Sequence, residues 1–476
     1  MIHCYKLHGY NIVLDVASGS IHSVDDVAYD LICAYSKLDS QCSKESRAAL
    51  VEQIESKHDV SEADVLEIIA DIEMLKSQGK LFSPDIYAEV ADSKNIYPLS
   101  ALCMNVSHAC NMSCAYCFAG RGEYGTGNAD GNDKADADVS VERASNKNLM
   151  NLETAKRAID FLVEQSGNKS NLDVDFFGGE PLLNWQLVKD TVKYARSIES
   201  TCNKKFRFTL TTNGLLIDDD VINFANDDIY NVVLSLDGRP EVNDAMRKMP
   251  NGDGSYAKIV DKFERIVEAR RGKGYYMRGT FTRNNMDFVN DIMHLANLGY
   301  KELSMEPVVT KADDPLGFTK SNLPELFEQY ELLASEMLRR EKDDEGFNFY
   351  HYTLDLSGGP CVHKRIAGCG VGTEYLAVTP SGELYPCHQF VGNTNFVMGD
   401  VWSGLTNNEL RDEFASCSIY SRDECRDCWA RFYCSGGCAA NAHNDSGSIN
   451  GVSEFYCELF KKRIECAIMM NVAGGQ

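Results

Sequence analysis

From residue 99 to about 338, short apolar runs alternate with stretches of helical periodicity, and this alternation constrains the fold more than anything else in the chain. Runs 101–107, 172–177, 206–211, 231–236, 276–282 and 302–309 read as six strands. Strands that alternate with helices are the trace of βαβ units, because neighbouring parallel strands must be joined by a long crossover. Repeated units of this kind build an α/β sheet or partial barrel, and chemistry gathers at the carboxyl ends of its strands.

The flanks differ from this centre. Residues 1–90 open with strand-like runs 2–7 and 10–16, joined at His8-Gly9, and then 20–24. Helical patterns follow at 26–35, 45–56 and 64–76, the last after a Ser61-x-x-Asp64 start signal. This reads as a winged-helix-like unit, and a cap or a peptide-recognition module would both suit it. The barrel region spans 91–345. Its stretch 122–150 is rich in Gly, Asp, Asn and Ala and too poor in aliphatic residues to bury a core, so it is expected to be a flexible insertion. Residues 346–476 are rich in Cys and Gly, with little helical pattern before 455–470, and their core is expected to be metal-stapled.

Composition narrows the partners. A formal charge of -24 opposes nucleic-acid phosphates, and no apolar run approaches the roughly 20 residues of a membrane span. The opening residues lack the continuous apolar stretch of a secretion signal, which points to the cytoplasm. In a reducing compartment, a chain with 18 cysteines uses them for metal more often than for disulfides.

Eleven of those cysteines fall into two patterned groups. Cys110, Cys114 and Cys117 form C-x3-C-x2-C in the loop after the first strand, with Tyr116 and Phe118 flanking the last cysteine. Three thiolates from one loop can hold three irons of a [4Fe-4S] cube and leave the fourth open, whereas structural zinc prefers four closed ligands. Near the carboxyl end, Cys425-x2-Cys428-x5-Cys434-x3-Cys438 and Cys457 follow Cys361, Cys369 and Gly382-x4-Cys387; a pair of zinc sites is the rival reading there. The other seven cysteines read as core or surface residues.

The first triplet resembles the signature of the radical S-adenosylmethionine (SAM) superfamily. The resemblance extends to Gly178, Gly179 and Glu180 after the second strand, to Thr212 and Asn213 after the third, and to Ser235 and Asp237 after the fourth. It implies a partial (β/α)6 barrel in which these residues and Phe118 contact SAM, and a reduced cluster that cleaves SAM to a 5'-deoxyadenosyl radical. The second group resembles the SPASM extension of peptide-modifying relatives, which implies two auxiliary [4Fe-4S] clusters. Cys369, Cys387 and Cys438, with or without Cys361, would hold one; Cys425, Cys428, Cys434 and Cys457 would hold the other.

The opening residues and the segment 385–390 are similar to maturases of "six cysteines in forty-five residues" ranthipeptides. That similarity implies thioether formation in a cysteine-rich precursor, leader binding by the first 90 residues, and a ferredoxin or flavodoxin as electron donor. Sulfatase-maturing relatives carry an aspartate where this chain has His388. Other SPASM peptide modifications, making sulfur-to-α-carbon or carbon-carbon links, and a non-enzymatic three-cluster electron carrier are the alternatives.

Overall fold

The computed structural model describes residues 1–36, 44–91, 97–122, 124, 148–310, 314–356 and 362–474. Cys361 and nearly all of the 122–150 insertion lie outside the described residues.

Three antiparallel strands open the chain: β1 (Ile2–Leu7), β2 (Tyr10–Asp15) and β3 (Ile21–Val24). Their first turn falls at His8-Gly9, both with positive φ, as a two-residue hairpin requires. Helices Asp26–Tyr35, Lys44–His58 and Glu62–Ser77 follow, and Ser61 and Asp64 form the expected capping box. Because side chains alternate across a strand, this small sheet has two apolar faces. Val13 packs with Leu31, Ile54 and Ile69 in a local core. Ile12 and Leu14 turn the other way, into the main core of the molecule.

The six expected strands form. They are β4 (Ala101–Ser107), β5 (Asn171–Gly178), β6 (Lys205–Thr212), β7 (Asn231–Ser235), β8 (Tyr275–Phe281) and β9 (Glu302–Pro307). Each pairs in parallel with the next in sequence. Amphipathic helices such as Leu152–Gln165 cover the outside, burying Ala155, Ala158, Ile159 and Leu162.

The cysteine-rich region joins the same sheet. After β10 (Asn348–Phe349) beside β9, strand β11 (Tyr375–Val378) pairs in parallel with β4 on its free side. The antiparallel strands β12 (Glu383–Tyr385), β13 (Gly399–Asp400) and β14 (Gly404–Leu405) extend it outward. Strand order is therefore β10-β9-β8-β7-β6-β5-β4-β11-β12-β13-β14. The closing helix, Glu454–Ala473, packs against the helix Leu323–Lys342 and against β1. Among the described residues no helix is long and apolar enough to cross a membrane.

Candidate active site

At the carboxyl ends of the barrel strands lies a cavity of about 410 Å³. Cys110, Cys114 and Cys117 line it, together with Phe118, Gly178, Gly179, Glu180, Thr212, Asn213 and Ser235. The loop that carries the three thiols is pinned by a two-residue ladder in which Ser113 and Cys114 pair with Lys248 and Arg247. Nitrogen donors point at the sulfurs: Met112 N lies 3.4 Å from Cys110 Sγ and Arg121 N lies 3.3 Å from Cys117 Sγ. Burial pushes the Cys110 thiol up to about 12 and Cys114 up to about 11. Such thiols ionise when a metal centre supplies the compensating charge.

Close packing explains the two glycines. A Cβ on Gly178 would stand 2.3 Å from the carbonyl oxygen of Ser107, and one on Gly179 would stand 2.1 Å from that of Ala109. The glycines thus let β5 press against the backbone leading into the cysteine loop. Glu180 ties the strand ends together from inside, accepting from Leu182 N (3.0 Å), Thr212 Oγ1 (2.7 Å) and Asn213 N (2.8 Å). Burial nevertheless raises its carboxyl to about 7.

Asp237 stands behind the cavity wall rather than on it. It is fully buried, accepting from the Tyr116 hydroxyl at 2.6 Å and from Thr280 N at 3.0 Å. Arg247 Nη1 in turn donates to the Tyr116 hydroxyl oxygen at 3.0 Å. The Nε of Arg247 is buried without a partner. That orphaned donor on a cavity-lining cation fits a bound carboxylate, and it was missed at the sequence level because a lone arginine 130 residues from the cysteine motif carries no pattern.

The second cysteine group also assembles. Cys387 is pushed up to about 12, first by burial and then by its neighbours Cys438 and Cys369. Cys434 rises to about 12 by burial and then by Cys457, Cys425 and Cys428. The chain thus brings together the two sets that the SPASM resemblance implied. His388 and Gln389, beside Cys387, line the barrel cavity, and the His388 ring lies 5.5 Å from that of Phe118 and 5.2 Å from that of Phe177. Among the described residues no three His, Cys, Asp or Glu stand as close as a single metal ion needs. Thiolates on separate irons of a cube stand farther apart than the ligands of one ion, so donor type and grouping suit clusters.

The inner face of the barrel holds further polar residues that the strand spacing did not single out: Asp175, Arg278, Glu306 and Tyr375. Glu306 is engaged by Arg463 at 3.0 Å and His351 at 3.2 Å. Cys103, expected to be a core residue, is buried and also borders the cavity.

Residues 104–296 match the radical SAM superfamily model. The chain is 23% identical over 383 residues to the radical SAM cyclopropyl synthase TigE of Paramaledivibacter caminithermalis, covering 76% of this chain and 72% of that one. It is 22% identical to a cysteine-type anaerobic sulfatase-maturating enzyme of Clostridium novyi, covering 77% and 94%. Its fold is similar to native anSMEcpe with bound AdoMet, with a TM-score of 0.62, 21% identity, and coverage of 80% and 100%. It is also similar to Streptococcus suis SuiB bound to S-adenosylmethionine, with a TM-score of 0.50, 15% identity, and coverage of 95% and 98%. The chain carries a radical SAM superfamily domain, an enzyme fold, with sequence kinship to anaerobic sulfatase maturases and a cyclopropyl synthase.

Proposed function

We propose that the protein is a radical SAM maturase that joins cysteine sulfur to carbon in a ribosomally made, cysteine-rich peptide. The observation that carries this reading is that one cavity is bordered both by the Cys110, Cys114 and Cys117 thiols and by His388 and Gln389, which directly follow Cys387 in the chain. A peptide side chain in that cavity would meet the radical source and, on the wall formed by His388 and Gln389, the residues next to a thiol of the second set, which suits an oxidative cross-link.

Cys110, Cys114 and Cys117 would hold a [4Fe-4S] cluster with one iron open to SAM; Cys369, Cys387 and Cys438, with or without Cys361, would hold a second, and Cys425, Cys428, Cys434 and Cys457 a third. Bound there, these groups supply a 5'-deoxyadenosyl radical that takes hydrogen from carbon, and an acceptor for the second electron. The chain's own residues orient and enclose. Arg247, whose Nε has no partner, would pair with the SAM carboxylate, and Ser235, Thr212, Asn213, Phe118 and Phe177 line the cavity.

The N-terminal unit suits recognition of a peptide leader by strand addition, since β3 has a free edge among the described residues. A ferredoxin or flavodoxin suits the electron supply. Sulfatase-type oxidation of a Cys or Ser side chain is the second reading, favoured by the sequence relatives; His388 in place of an aspartate favours the first.

The test is a Cys369, Cys387 and Cys438 to Ala variant given deuterated precursor. Deuterium should still enter 5'-deoxyadenosine, while the mass loss per bridge, about 3 Da for one D and one H, disappears. Bridges formed at the normal rate by this variant would contradict the proposal.

A further inference from the structure

We infer that Asp175, on the inner face of β5, accepts the proton that the substrate thiol loses as its sulfur joins carbon. This rests on the thioether reading above. That reaction removes two hydrogens from the peptide: one leaves as an atom to the adenosyl radical, and the other divides into an electron for an iron-sulfur acceptor and a proton. The proton needs a base within the cavity.

Three carboxyls among the described residues line the cavity, those of Asp175, Glu180 and Glu306. Two are committed. Glu180 is 1% exposed and accepts three hydrogen bonds from the strand ends. Glu306 is held in an ion pair with the buried Arg463 and lies 3.2 Å from His351, whose imidazole burial keeps neutral, so protonating Glu306 would strand a buried arginine. Asp175 has one hydrogen-bond partner, the Thr209 side chain on β6, and it is partly open to the cavity.

Its surroundings keep it poised. Burial first and then Asp173 on the same strand raise its carboxyl to about 6, against the pull of Thr209. Facing it are the Cys103 thiol of β4 and the Tyr375 phenol of β11, both uncharged. Arg278 of β8 is exposed to the same cavity, and His388 lies on its rim, with its Nδ1 3.5 Å from the Tyr375 hydroxyl. A carboxyl that titrates just below neutrality can take a proton in one step and release it to solvent in the next.

The test compares Asp175→Asn and Asp175→Glu with wild type through a ratio within each preparation: cross-links formed per deuterium transferred from labelled peptide to 5'-deoxyadenosine. The ratio does not depend on how much protein is folded. Asp175→Asn should lower it by roughly 100-fold or more, and it should lose the rise in cross-linking that wild type shows as pH increases through about 6. Asp175→Glu should keep a rise at a shifted pH. In the full chain without peptide, a carboxyl infrared band titrating near that pH should vanish in the Asn variant. An unchanged ratio and pH profile in Asp175→Asn would overturn the role of Asp175 alone. Wild type that transfers deuterium yet forms no thioether bridge in the peptide would overturn the thioether reading, and this inference with it.

Discussion

The imidazole of His3 lies flat on the indole of Trp429, with ring centroids 3.7 Å apart and planes 2° from parallel. His3 Nε2 also pairs with Glu465 of the closing helix at 3.0 Å. One residue of β1 thereby clamps the N-terminal unit to the loop between Cys428 and Cys434. Asp85 adds to the clamp, accepting from the Tyr420 hydroxyl at 2.8 Å and pairing with Arg431 at 3.0 Å. His3→Ala should weaken the docking of β1 by about 1 kcal/mol, the order of one aromatic pair. Amide exchange across residues 2–7 should quicken accordingly, with exchange in β5 and β6 unchanged.

Removing the first 90 residues would be a poor test of leader recognition, because Tyr5, Leu7, Ile12 and Leu14 belong to the main core. The free edge of β3 offers a cleaner one. Asp15 N donates to Ser20 O at 2.9 Å, so by the alternation of an antiparallel ladder His22 and Val24 bond inward to β2, and Ile21 and Ser23 turn their backbone groups outward. Ser23→Pro removes an outward donor and leaves the sheet's own bonds intact. Leader-dependent processing should fall at least about 10-fold, with uncoupled SAM cleavage retained. Normal processing of full-length precursor by this variant would leave the unit as a structural cap.

The Glu306 carboxylate ties β9 to the closing helix. Burial alone would raise its pKa, but Arg463, then His351 and Arg278, hold it down to about 2. A depressed carboxyl adds stability that is present above its unfolded pKa of about 4.3 and is lost as pH falls through the folded value. The unfolding free energy of wild type over Glu306→Gln should therefore shrink between about pH 4.3 and pH 2, by about 1–3 kcal/mol given its partial exposure. Parallel pH dependences for the two proteins, measured by denaturant unfolding, would show that the pair contributes no such linkage.

Much of this architecture was legible in the sequence. The six strands were bounded by period-two apolar runs between Gly, Asn and Asp turns, and they shift by only a residue or two at their ends. The cysteine groups were legible because metal ligation demands particular spacings. What could not be read was which polar residues share a space. Asp175 alternates with Val174 and Phe176, a pattern that marks an inward face, but nothing local distinguishes a polar barrel interior from a solvent face. Asp237 reads as a strand-end ligand residue, yet Tyr116, 121 residues earlier, draws it behind the wall. The merging of the cysteine-rich region into the barrel sheet through β11 and β4 was likewise invisible, because it depends on a pairing some 270 residues apart.

The central claim is that Cys110, Cys114 and Cys117 hold the centre where SAM is cleaved and from which peptide hydrogen is taken. The most direct measurement is 5'-deoxyadenosine formation by anaerobically reconstituted, reduced protein, wild type against the triple Ala variant, with iron counted in each. Wild type should carry about twelve irons and release the nucleoside, while the variant should carry about eight and release none. Nucleoside release by the triple variant at a comparable rate would contradict the account.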